Sequence, residues 1–221
     1  KDRKSEQKII EEKVPIGIRA SLKTTYQSLI KIKQYPNAFR YLISYYLFSD
    51  AVLTFQIFMT LYLGKVGRLD DNWKNIVLIS GILFAIVGAL ISHWVARKFN
   101  STRRAVSYLI LLVAITFSIF ALANNQIFFI LSMILMGFAY GMLVPLSRAY
   151  YSHLSPADKQ GEFFSIYSLF EKFASIIGPL LWSVCTFLFV FLGENGKYRV
   201  ATFSLALMLF ASYFVFRKIK D

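Results

Sequence analysis

The sequence predicts an all-α membrane protein with six transmembrane helices. Six apolar stretches, each long enough to cross a bilayer, fill residues 39 to 217, and short connections separate them. A helix needs about 20 apolar residues to cross a hydrocarbon core roughly 30 Å thick. Composition agrees. The chain is 57% hydrophobic with a mean hydropathy of +0.53, too apolar for a soluble domain of 221 residues.

The elements follow in order. Residues 1–17 are charged and polar, and Pro15 and Gly17 mark a linker. Over 18–34 the apolar residues Ile18, Leu22, Tyr26, Leu29 and Ile30 fall on one helical face, with lysines elsewhere. That pattern predicts an amphipathic helix in the headgroup plane, ended by Pro36. Residues 1–38 are thus read as a cytoplasmic linker with an interfacial helix. The spans are Phe39–Leu63, Ile76–Ala96, Ala105–Ala123, Ile127–Ser147, Phe163–Leu192 and Val200–Phe216, and 218–221 form a tail. Because it begins at Lys1, the chain is expected to be part of a longer one.

A net charge of +13 would fit nucleic acid if it formed a patch, but its distribution follows the loops. The amino-terminal segment, the 97–104 and 148–162 loops, Arg217 with the tail, and Arg40 together hold 19 Lys and Arg; the opposite side holds 5. Basic residues collect on the cytoplasmic side, so both ends are expected there, with no nucleic-acid partner. Loop 97–104 carries Arg97, Lys98, Arg103 and Arg104, and the 124–126 turn carries no charge. His93 and His153 lack ligand spacing and Cys185 is alone. No phosphate-cradling glycine loop or hydrolase serine motif appears. No metal, cofactor or enzymatic role is expected.

Candidate functional residues lie inside the spans. In the first, Tyr46, Asp50 and Thr54 share a face at i, i+4 spacing. A carboxylate at mid-membrane costs about 3 kcal/mol on insertion scales, so Asp50 needs a partner or water. It is either a coupling or binding carboxylate or a structural hydrogen-bonding residue. The fifth span carries Ser165, Ser168, Glu171, Lys172, Ser175, Pro179 and Thr186 on a helical stripe. Glu171 and Lys172 point about 100° apart and need partners on other helices. Lys172 with Asp50 is the expected pair, and Gly178-Pro179 is expected to kink the span. The fourth span has Gly137-x-x-x-Gly141 and Pro145, and the second a row of Ser80, Gly88 and Ser92 with Phe84 between. Such rows let helices approach closely, as packing surface or as gate. The third and sixth spans carry only hydroxyls. The polar first, second, fourth and fifth should line a cavity while these two face lipid.

Several motifs resemble one family. They are Leu146-Ser147-Arg148, Leu154-Ser155-Pro156, Glu162-Phe163-Phe164-Ser165-Ile166-Tyr167, Glu171-Lys172 and Gly178-Pro179-Leu180-Leu181, with Phe48-Ser49-Asp50-Ala51-Val52 in the first span. They look like the vacuole-effluxer-like family of the major facilitator superfamily, which includes the autophagy-related vacuolar amino-acid effluxer of yeast. There are departures. Ala51 stands where the family usually has Gly. The loop after the second span has Arg97 at the acidic position of the superfamily's cytoplasmic motif and Asn100 where Gly is usual. The resemblance implies the carboxyl half of a facilitator fold, helices seven to twelve, partnered by an amino-terminal six-helix half. It implies secondary transport of a small solute, such as amino acids, by alternating access, with a proton as a candidate co-substrate. The membrane would be the inner membrane of a bacterium or the vacuolar membrane of a fungus. A scaffold or receptor on the same fold, or a lipid transporter, are the competing readings. In the transport reading Asp50 or Glu171 exchanges a proton or a substrate ammonium with Lys172. Arg148 and Glu162 belong to the cytoplasmic loop.

The charge split yields a topology test. Cysteines at Ser101 and Asn125 should label from opposite faces of the membrane; labelling of both from one face would refute the assignment.

Overall fold

The computed structural model describes residues 32–99 and 101–219. The amphipathic helix expected at 18–34 lies outside the described residues except for its last three positions. Seven helices are described: α1 (Pro36–Lys65), α2 (Asp71–Lys98), α3 (Thr102–Leu122), α4 (Gln126–Leu154), α5 (Gln160–Phe173), α6 (Ile177–Leu188) and α7 (Gly193–Arg217). By length and apolarity they make six membrane-crossing spans, α5 and α6 together forming the fifth.

Local chemistry sets the boundaries. Pro36 starts α1, at the position where a missing N–H costs nothing. Three helix starts carry side-chain caps. Asp70 accepts the Trp73 N–H, Ser101 the Arg104 N–H and Asn125 the Phe128 N–H. Each cap serves one of the amides that a helix start leaves without an internal partner. Pro145 lies inside α4, and the helix runs through it.

The fifth span is not the continuous kinked helix expected from the sequence. It stops at Phe173 and restarts at Ile177, and a 3₁₀ turn at Val190–Leu192 leads into α7. Gly178 and Pro179 are therefore not a mid-helix kink. They sit in the first turn of α6, where proline is tolerated because those N–H groups have no intrahelical acceptor.

Two kinds of packing join the spans. α2 and α4 meet along small residues, and their backbones touch. A Cβ on Gly137 would strike the Gly81 carbonyl, one on Gly141 the Ala85 carbonyl, and one on Gly88 the Phe138 carbonyl. The contact row of α2 is thus Val77, Gly81, Ala85, Gly88 and Ser92. Of the row expected from sequence, Ser80 bonds to the Val77 carbonyl and Phe84 points outward. α1, α3 and α7 instead interlock through large aromatics. Phe55 packs on Phe117 and Phe120 at centroid distances of 4.7 and 5.0 Å. Tyr41 on α1 packs edge-on against Phe216 of α7 at 6.3 Å. A reciprocal pair of hydroxyls pins α1 to α7: Ser44 donates to the Ser212 carbonyl at 3.0 Å and Ser212 to the Ser44 carbonyl at 2.9 Å.

Burial inside the unit does not follow polarity. The third and sixth spans are 56% and 44% buried; the second and fifth are 22% each. The apolar spans form the seam of the six-helix unit, and the second and fifth present the largest uncovered faces.

The α2–α4 contact is testable. Gly141→Ala puts a methyl against a backbone carbonyl, and overpacking of this kind costs about 1–3 kcal/mol. It should lower the unfolding temperature measured by intrinsic fluorescence in detergent. Gly161→Ala is the control, because a Cβ there meets nothing within 4 Å. Equal behaviour of the two variants would refute backbone contact at this crossing.

Candidate functional site

The break in the fifth span creates the site. A helix that starts inside the membrane presents amides with no internal acceptor. In α6 the first turn is Ile177, Gly178 and Pro179. Its first internal bond runs from the Leu180 N–H to the Ile176 carbonyl. Pro179 has no N–H. The Gly178 N–H donates to Asp50 Oδ2 at 2.9 Å. Asp50, on α1, therefore caps α6 from a different helix.

Each residue type has a reason. Asp50 is fully buried, and so is Thr54 one turn later, whose hydroxyl lies 3.4 Å from Asp50 Oδ1. Carboxylates are stabilised at helix N-termini by the amide groups and the helix dipole, by up to ~2 kcal/mol in partly buried geometry. Gly178 is required by space. A Cβ there would overlap Thr54 Oγ1 and come within 2.8 Å of Asp50 Oδ1. The expected Tyr46–Asp50–Thr54 stripe is thus one unit, and its partner is a helix end.

The expected Asp50–Lys172 pair is not formed. Lys172 is exposed in the last turn of α5, where a cation complements the C-terminal end of the helix dipole. The two sides of the break carry opposite compensation, Lys172 toward the end of α5 and Asp50 at the start of α6. Glu171 pairs instead with Arg148 on α4, Nη2 to Oε1 at 3.2 Å, with both side chains about half exposed. Arg148 also interacts electrostatically with the Tyr167 side chain. The Tyr45 and Tyr167 rings lie 4.2 Å apart. The exchange expected between Asp50 or Glu171 and Lys172 has no direct contact to run through in this structure.

Ser168 and Lys172 are exposed on one face of α5, and Ser175 is exposed in the break that follows. The other cytoplasmic-loop candidates separate. Arg97 and Lys98 are exposed in the last turn of α2. Arg103 and Arg104 open α3. Glu162 lines a cavity of about 210 Å³ with Tyr35 and Lys159. Gly137 and Gly141 are packed between helices and do not border the Asp50 site.

Sequence reasoning missed two features. Arg199 on α7 donates to the Ala121 and Ala123 carbonyls at 2.7 and 2.9 Å and to the Asn124 side chain at 2.8 Å, which closes the end of α3. Lys65 at the end of α1 pairs with Glu194 at the start of α7 at 3.1 Å. Their signal was present: both charges sit where spans end. The start of α6 also had a signal, since glycine then proline after a serine fits a helix beginning.

Known proteins place this geometry. The fold resembles the inward-open xylose transporter XylE of E. coli, with a TM-score of 0.64 over 83% of this chain and 47% of that one, at 17% identity. The uncharacterized MFS-type transporter YxiO of Bacillus subtilis is 29% identical over 197 residues, covering 89% of this chain and 44% of the relative. Autophagy-related protein 22 of Saccharomyces cerevisiae is 30% identical over 182 residues, covering 76% and 33%. The chain thus spans less than half the length of these relatives. The pattern of the family described as Vacuole effluxer Atg22 like matches residues 3–220. The chain belongs to that family, a branch of the major facilitator transporters.

Proposed function

We propose that this chain is the carboxyl-terminal six-helix half of a secondary transporter that exports a small solute by alternating access. The observation that carries the reading is the broken fifth span, its second part held at the Gly178 N–H by the buried carboxylate of Asp50. Discontinuous helices with their N-termini at the midplane are a recurring device of transporter sites. The exposed polar side chains of Ser168, Lys172 and Ser175 support it, because such groups are costly against lipid and suit a water-filled pathway shared with an amino-terminal half. Both ends of the chain lie in the cytoplasm in this reading. The family description names an effluxer. Amino acids head the substrate panel, with a proton as the coupled ion.

The Asp50 contact works as a latch. A hydrogen bond to a charged group is worth about 1.5–3 kcal/mol. Protonation of Asp50 removes the charge that α6 is held by, and 1.4 kcal/mol is already a tenfold change in an equilibrium constant. A proton arriving at Asp50 therefore frees the start of α6 by one to two orders of magnitude. The fifth span can then move against the first. Arg148 and Glu171, half exposed on the same side, are placed to meet opposite charges on a zwitterionic solute.

Two substitutions test the latch. Asp50→Asn keeps the shape and an acceptor oxygen but cannot titrate. In liposomes with the full-length protein it should cut pH-driven transport at least tenfold and leave membrane insertion unchanged. Normal transport with the same pH profile would reduce Asp50 to a structural residue. Gly178→Ala should also abolish transport, because its methyl pushes α6 off Asp50 and Thr54. Thr54→Ala removes part of the overlap, so Thr54→Ala/Gly178→Ala should recover part of the activity. A double variant no better than Gly178→Ala would show that the close approach is not what transport requires.

A further inference from the structure

We infer that the transported solute carries a second carboxylate and that the ammonium of Lys172 receives it, which makes the substrate class an acidic amino acid. The inference rests on the transport reading and goes further by naming the charge that the solute must bring. Lys172 is the charge that the fold leaves unmatched. It lies nine residues into the apolar stretch that begins at Phe163, roughly 14 Å of helical rise. That is close to the middle of a hydrocarbon core about 30 Å thick. The side chain is exposed, and its ammonium makes no ion pair or hydrogen bond among the described residues. The two intramembrane carboxylates are engaged elsewhere, Asp50 with the Gly178 N–H and Glu171 with Arg148. The C-terminal end of α5 offers Lys172 partial negative charge but no full anion. A cation at this depth is costly without an anion or water beside it.

Two hydroxyls of the same stretch are unpartnered as well. Ser165 and Ser183, elsewhere on the fifth span, donate to the Gly161 and Pro179 carbonyls at 2.8 and 2.9 Å, a bond that helical serines commonly make. Ser168, one turn before Lys172, and Ser175, in the break after it, make no side-chain hydrogen bond among the described residues, and both are exposed. An ammonium and two hydroxyls thus follow one another along the span with donors to give. A carboxylate is an acceptor only, with room for several donors, and its bonds to a cation are the strong ones.

The neighbouring pair fixes the rest of the solute. Glu171 and Arg148 are joined through one carboxylate oxygen, Oε1, at 3.2 Å, and both side chains are about half exposed. The second oxygen of Glu171 and the remaining guanidinium N–H groups of Arg148 suit the ammonium and the α-carboxylate of an amino acid. Glu171 and Lys172 are adjacent, with Cα atoms about 3.8 Å apart and side chains roughly 100° apart around the helix. A solute lying over this turn meets positive, negative and positive charge at Arg148, Glu171 and Lys172. The complement is negative, positive and negative, which is the charge pattern of glutamate or aspartate. A neutral amino acid leaves Lys172 unmatched, and a cationic one sets a like charge against it.

The test is counterflow by the full-length protein in liposomes, with labelled glutamate and labelled glutamine. The two differ at the one group that Lys172 is assigned. Wild type should favour glutamate, with a KM lower by about tenfold or more, the factor expected for one hydrogen bond to a charged group. Lys172→Gln should bring the ratio of the two KM values close to one. Lys172→Arg keeps the cation and should retain a preference for glutamate. If Lys172→Gln does not reach the membrane, Ser168→Ala/Ser175→Ala is read in its place and should narrow the ratio. A ratio that Lys172→Gln leaves unchanged overturns the inference, and an acidic side chain of the amino-terminal half is then the partner of Lys172. A loss as complete in Lys172→Arg as in Lys172→Gln also overturns it, since charge is then not what the site reads. Wild type that moves glutamine and not glutamate overturns the inference and leaves the transport reading standing. Wild type that moves neither overturns both.

Discussion

A helix cannot begin inside a bilayer unless something accepts the amides of its first turn. Lipid offers no acceptor, and each group left unserved costs several kcal/mol. This constraint governs the most informative part of the molecule. The fifth span stops at Phe173 and begins again at Ile177, and the acceptor for the new start is the carboxylate of Asp50 on α1. The choices around it follow. Gly178 is small because a Cβ would collide with Thr54 and Asp50. Pro179 removes an amide that would otherwise need a partner. Thr54 supplies a hydroxyl beside the other carboxylate oxygen. The cost of burying Asp50 and the cost of breaking the helix offset each other.

The two packing styles divide the unit mechanically. Where α2 meets α4, glycines bring backbones into contact, and a backbone contact cannot be relieved by a rotamer change. Where α1, α3 and α7 meet, buried aromatics and the Ser44–Ser212 exchange fix the register. The fifth span has neither device. It is anchored by the Asp50 cap, by the Tyr45–Tyr167 contact and by the stacking of Trp182 on Phe58 at 4.8 Å. Among the described residues, the carboxylate anchors of α5 and α6 are Asp50, at the start of α6, and Glu171, paired with Arg148 of α4.

The six spans and the family were legible because hydropathy and the motifs around Glu162 and Gly178 are properties of the chain itself. The interhelical pairs were not. Asp50 with Lys172 was a sound pairing of charges, but it assumed an unbroken fifth helix. Once the helix breaks, free amides compete for the carboxylate and lie closer than any ammonium. Glu171 could not be assigned to Arg148 from sequence, because the contact depends on how α4 crosses α5. Burial within this half was not legible from polarity: the third and sixth spans are 56% and 44% buried, and the α2 contact row runs through Gly81 rather than Ser80.

Charges at the span ends serve two purposes at once. Counting Arg40, Arg103 and Arg199 as topology signals ignores what their side chains do. Arg40 donates to the Lys218 carbonyl at 2.9 Å and Arg103 to the Arg217 carbonyl, so both close the end of α7. Arg199, on the less basic side, closes the end of α3. The last carbonyls of a helix need donors wherever the helix ends, and guanidinium supplies several from one group. Capping therefore demands arginine on both sides of the membrane, whereas the positive-inside rule demands it on one. The few basic residues on the less basic side are then the ones that structure requires. Arg199 with its carbonyls and Lys65 with Glu194 fit this expectation.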